Sequence, residues 1–124
     1  MTEQTRVFRL ITETDMLEAK QTGLIPLVPV DLNDGYVHLS PQDQVLNTAG
    51  LYFAPGSALY VLEFDVLVFG SDLKWEWVSE REDDFPHLYK LELKWAQGCH
   101  LHTIDWSTDG RPSWGKTVSI NTTE

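Results

Sequence analysis

The chain has 124 residues, 42% of them hydrophobic, which suits one domain that buries about two-thirds of its unfolded surface. A net charge of −10 excludes the basic footprint that a nucleic-acid backbone or an anionic membrane surface requires. There is no apolar segment behind a basic start, no apolar run approaching ~18 residues, and a single cysteine, Cys99, so the expectation is a reduced cytoplasmic protein. That expectation is of one domain over 1–124, with flexible ends at 1–5 and 115–124.

"RVFRLI" (6–11) reads as a first strand, carrying Arg9. "TETDMLEAKQTG" follows as a short helix that Thr12 or Thr14 can cap and Gly23 can end. "LIPLVPVDLNDG" contains Pro26 and Pro29. Proline donates nothing to a ladder, so this stretch reads as an extended loop or sheet edge. In "GYVHLS" the side chains alternate, with Val37 and Leu39 on one face and Tyr36, His38 and Ser40 on the other. "SPQDQVLNTAGLYF" reads as a helix with Ser40 as its cap and Val45, Leu46, Ala49, Tyr52 and Phe53 as its apolar stripe.

"ALYVLEFDVLVF" (58–69) suits a central strand. "LKWEWV" sets Leu73, Trp75 and Trp77 against Lys74, Glu76 and Val78. After a charged loop, "FPHLYKLEL" places Phe85, His87 and Tyr89 on one face. "CHLHTIDW" reads as the last strand, and the remainder as irregular. Late strands joined by short turns argue for an α+β fold: a mixed or antiparallel sheet of about six strands, perhaps split in two, with two main helices.

His38 lies on a polar face, beside a helix start that favours anions. "YVH" and "HLY" each present a histidine and a tyrosine on one face, which could converge from opposite sides of a cleft around a planar ligand. Histidines filling an ordinary aromatic core explain the same pattern. Glu76 is a carboxylate at a sheet centre that calls for a partner; it could orient His38 or His87. Glu63 and Asp65 read as members of a wetter face. "CHLH" puts His100 and His102 at a spacing seen in metal sites, but alternation turns Cys99 away, and no metal-ligand or phosphate-loop motif is present. No metal site is expected.

The blocks "DGYVHLS", "QVLNTAGLYF", "LKWE" and "DDFPHLY" together resemble a bacterial family known as domain of unknown function nine-five-two. That resemblance implies an ADP-ribosyltransferase-like fold, a split sheet with a nicotinamide-dinucleotide cleft. It places Arg9 at the ligand-gripping position of the first strand, "YVHLS" at the second position and "PHLY" near the third. At the third, this chain has His87 where transferases carry an acid, and Glu92 lies on the opposite face.

The reading gives His38, His87 and Glu76 as catalytic candidates, and Arg9, Tyr36, Ser40 and Tyr89 as ligand-binding ones. The ligand would be NAD, ADP-ribose or a related nucleotide. Three readings stay open: an enzyme, a non-catalytic metabolite-binding module, and an interaction protein with structural histidines and an apolar patch around Trp106 and Trp114.

Overall fold

In the computed structural model, which describes residues 5–120, β1 (Arg6–Thr12) runs directly into α1 (Glu13–Thr22). Thr12 caps that helix by accepting the Asp15 N–H at 3.2 Å, and Gly23 closes it with φ 85°.

The proline-punctuated stretch is not an extended edge. It contains α2 (Pro29–Asp34). Pro29 takes the first helical position, where a missing N–H costs nothing, and the Asp31 carboxylate accepts the Val28 N–H at 2.9 Å. Gly35, at φ 81°, turns the chain into a short β2 (Val37–His38).

Ser40 does not cap the next helix. Its N–H and C=O both bond to Phe8, at 2.8 and 2.9 Å, and Pro41 holds it extended. The chain therefore makes a 3₁₀ turn at Gln42–Gln44 before α3 (Val45–Tyr52) begins.

The remaining strands are β3 (Leu59–Asp65), β4 (Leu73–Val78), β5 (Asp83–Leu88), β6 (Gly98–Trp106) and β7 (Pro112–Ser119). β7 corrects the reading of the tail as irregular. A turn with Gly110 at φ 83° folds it back on β6, and as an outer strand it tolerates a proline at its start. The expected flexible end thus begins inside a strand, while 1–4 and 121–124 lie outside the described residues.

The strands form two sheets in the orders β1-β3-β6-β7 and β2-β5-β4, and every pairing is antiparallel. The fold is α+β, with one more strand than the expected six and with α2 added to the helices. None of the described helices is long and apolar enough to cross a membrane.

The larger sheet is covered on both faces. On one, Val7, Leu62 and Phe64 meet Met16 and Ala19 of α1 and Val37 and Leu88 of the smaller sheet. On the other, Phe8, Val61 and Ile104 meet Val45 and Ala49 of α3. Trp106 and Trp114 pack against this second cluster, so they do not form the exposed patch expected of an interaction protein. The Phe8–Ser40 bridge splices the two sheets where β1 passes the end of β2.

β6 and β7 approach closely at Gly115. A Cβ there would collide with Thr103 Oγ1 and reach Asp105 Oδ1 at 2.8 Å. Gly115→Val is expected to cost about 1–3 kcal/mol in thermal or urea unfolding, the range of an overpacked site.

Candidate functional site

Asp31 has no exposed surface, yet it carries a carboxylate. α2 delivers it beneath β2, where five nitrogen atoms meet it. Arg9 grips it in a fork, NH2 to Oδ2 at 2.7 Å and NH1 to Oδ1 at 3.2 Å. Oδ2 also takes the Val28 N–H. Oδ1 takes the His38 N–H at 3.0 Å and lies 2.9 Å from His38 Nδ1. Burial alone would raise this carboxyl. The hydrogen bonds from His38 and Arg9, with the Arg9 charge, outweigh it and hold the group well below its ordinary 3.8.

This geometry decides what Arg9 and His38 do. Arg9 lines a pocket, but one of its terminal nitrogens also donates to the His38 carbonyl at 2.8 Å, so its guanidinium is engaged within the protein. His38 is held at both ends, with Nε2 lying 2.9 Å from Asp34 Oδ2. Carboxylates accept only, so filling both contacts takes a proton on each ring nitrogen.

His87 is different. It is the direct cross-strand partner of His38, and the rings lie 5.6 Å apart. The two histidines are therefore neighbours on one sheet face rather than opposite walls of a cleft. His87 Nδ1 lies 2.7 Å from Glu76 Oε1, and its Nε2 has no partner among the described residues.

The Tyr89 hydroxyl donates to the same Glu76 oxygen at 2.7 Å. That bond, followed by the one from His87, lowers the Glu76 carboxyl below its usual range and pushes the Tyr89 hydroxyl up to about 12. Tyr36 stacks on His87 with centroids 4.1 Å apart and touches Tyr89 at 5.1 Å. Burial, then the charges of Asp34 and Glu76, push the Tyr36 hydroxyl up.

His38 and His87 both line a pocket of about 400 Å³ at the seam between the sheets and α3. Phe8, Leu10, Tyr52 and Phe53 make much of its wall apolar. Ser40 lines it too, and its hydroxyl has no hydrogen bond among the described residues. Tyr36, Glu76 and Tyr89 are outside this wall, behind His87.

Two contributors escaped the sequence reading. One is Asp31, whose signal was Pro29 and Gly35 bracketing a one-turn helix. The other is Arg81, which lines the pocket with its guanidinium 4.7 Å from the Phe85 ring. It donates to Thr48 Oγ1 at 2.8 Å and Gln44 Oε1 at 3.1 Å, and its buried Nε has no partner among the described residues. Glu92 sits away from the pocket, between Lys90 and Lys94 at 3.8 and 3.9 Å.

Asp31 is ionised in the fold and carries a lower affinity for protons than in the unfolded chain. Its contribution is fully present above about pH 3.8 and fades as pH falls below that value. Asp31→Asn is expected to lose about 3–5 kcal/mol at pH 7 by urea unfolding, because it leaves the buried Arg9 charge uncompensated. The gap to wild type should narrow at pH values below 3.8.

Comparison with known proteins places these residues in context. No curated protein matches the chain. The crystal structure of protein CC0527 from Caulobacter crescentus is 31% identical with a TM-score of 0.78, covering 88% of this chain and 94% of that one. The solution NMR structure of CC0527 is 30% identical with a TM-score of 0.75, covering 87% and 91%. The model of a family described as "Protein of unknown function (DUF952)" matches residues 10–97, a span that holds Arg9's neighbour Leu10, both pocket histidines, Glu76 and Arg81. The chain belongs to the DUF952 family.

Proposed function

We propose that the seam pocket binds a small planar-ring metabolite of the nicotinamide-nucleotide class and presents it to His87. The observation that carries this reading is the state of His87: one ring nitrogen fixed by Glu76, the other free, in the wall of a mostly apolar pocket. An ionised Glu76 accepts only, so Nδ1 carries a proton, and the neutral form of the ring then offers its lone pair at Nε2. Such a pair can take a proton from a hydroxyl or a water, and the carboxylate then steadies the imidazolium. The stack of Tyr36 on one side limits how the ring can tilt.

The pocket supports a ring ligand in two further ways. Its volume of about 400 Å³ falls in the range of roughly 300–1,000 Å³ typical of small-molecule sites, near the low end. It suits a nucleobase or nicotinamide with a ribose, with the rest of a dinucleotide lying across the mouth. Alternation along β1 also turns the Leu10 N–H and C=O the same way as those of Phe8, toward the pocket edge, where no strand among the described residues pairs with them. A carboxamide presents the matching donor and acceptor. The split into two sheets with a pocket at the seam agrees with the ADP-ribosyltransferase-like arrangement that the sequence blocks imply. Arg81, rather than Arg9, is the cation placed to meet a phosphate.

A second reading, binding without group transfer, has an observation in its favour. Among the described residues no Asp or Glu lines the pocket, and a ribosyl transfer calls for a carboxylate against the ribose.

Nicotinamide, NAD and ADP-ribose should each be tested by thermal shift, with turnover followed by chromatography. A bound ligand at ~100 times its Kd adds about 2.7 kcal/mol, which raises Tm by several degrees in a chain of this size. His87→Ala is expected to abolish turnover and weaken the shift, and Glu76→Gln to lower turnover while leaving the shift largely intact. Turnover absent in wild type, with the shift retained, selects the binding reading. No shift with any of the three compounds, or an unchanged shift and turnover in His87→Ala, would sink the proposal.

A further inference from the structure

A second cluster lies on the larger sheet, among residues that do not line the seam pocket. Strict alternation turns Cys99 away from His100. β6 breaks that alternation: Glu63 pairs with His100 while Phe64 pairs with Gly98, so Cys99 is the extra residue of a bulge. The bulge brings its thiol round to Glu63. One donor atom each from Glu63, Cys99 and His100 now falls within 4.8 Å of the other two. Glu63 is consequently part of a built cluster and not of the wet face expected for it.

Two features single this cluster out. His100 Nδ1 is buried with no hydrogen-bond partner among the described residues, 3.7 Å from Glu63 Oε1. A buried ring nitrogen without such a partner calls for an explanation, and a role as a metal ligand supplies one. The second is Arg6, whose NH1 lies 2.6 Å from Cys99 Sγ and 3.1 Å from Glu63 Oε2. A cation already rests on the thiol and the carboxylate, on a side chain 39% exposed and able to swing into solvent. His102 supports the carboxylate from behind. Its Nε2 lies 2.7 Å from Glu63 Oε1, and its Nδ1 lies 2.7 Å from Thr117 Oγ1. A histidine held in this way fixes the orientation of a ligating carboxylate.

We propose that Glu63, Cys99 and His100 form a binding site for a divalent ion of the zinc class, with Arg6 as the competing cation and His102 as a positioning residue. The donor set decides the class. One sulfur, one imidazole nitrogen and one carboxylate oxygen suit zinc or its neighbours, whereas calcium and magnesium take oxygen ligands. Three protein ligands leave a fourth position for water. Binding forms a thiolate–metal bond, releases the thiol proton to solvent and displaces the Arg6 guanidinium outward.

Cys99 is the only cysteine in the sequence, which makes the test clean. Co²⁺ is titrated into the reduced, chelator-treated full chain, and the thiolate-to-cobalt charge-transfer band in the near ultraviolet is followed. The expected result is one ion per chain, a band that Cys99→Ser removes, and competition by Zn²⁺. His100→Ala and Glu63→Gln should each weaken binding by about tenfold or more, the loss that even an outer partner's removal produces. Arg6→Ala should tighten it, since the rival cation is gone. Circular dichroism checks the fold of each variant. If Glu63→Gln misfolds, His100→Ala and Arg6→Ala still decide, because both side chains are partly exposed. Absence of the band, binding unchanged in both His100→Ala and Arg6→Ala, or two chains per ion would overturn the proposal.

Discussion

Everything around the seam depends on one buried carboxylate. Asp31 draws together β1 through Arg9, the chain before α2 through Val28, and β2 through His38. Val28 and His38 lie close to Asp31 in sequence, whereas Arg9 stands 22 residues away on the other sheet, so the carboxylate ties a local turn to a distant strand. A buried ion pair is a weak source of net stability, since desolvation consumes most of the attraction. Its effect here is positional. A fully hydrogen-bonded carboxylate admits one arrangement of its five donors, and that arrangement sets where the His38 strand lies against β1.

With that frame in place, two histidines in adjacent strands acquire different properties. His38 faces a carboxylate at each nitrogen, so its ring belongs to the scaffold. His87, its direct cross-strand partner, has one nitrogen fixed and one free. Similar residues on one face are thus divided by what lies behind them. Glu76 and Tyr89 achieve this for His87 from an exposed edge, where neither group is costly to hydrate.

The strand faces were legible in the sequence because a strand has a period of two. That rule placed Tyr36 with His38, and His87 with Tyr89, and it set Glu76 opposite the tryptophans. It failed where the backbone departs from the period. Cys99 sits in a bulge, which no local residue type announces, so its thiol turned up on the unexpected side. α2 was missed for a different reason. Proline argues equally for a loop and for a helix start, and only Asp31 and Gly35 in the right places separate the two. β7 was hidden by Pro112 and Gly115, residues that weaken a strand but are tolerated on the outermost one. Arg9 was placed on the first strand, as the structure has it, but was read as gripping a ligand, whereas its guanidinium is engaged by Asp31 and the His38 carbonyl. Its partner could not be named, because that partner arrives from the segment whose structure was misread.

The splice between the sheets is a single bridge, two hydrogen bonds between Phe8 and Ser40. A joint that narrow acts as a pivot. The angle between the sheets is then fixed by what packs beneath it, Val37, Leu39 and Leu88 among them. The pocket inherits its width from that angle, since one sheet supplies Phe8 and Leu10 and the other supplies Phe85 and His87. The width of the pocket is therefore written partly in core volume. A lineage could retune the site by exchanging one aliphatic side chain for another in the interior, leaving every residue of the pocket wall unchanged.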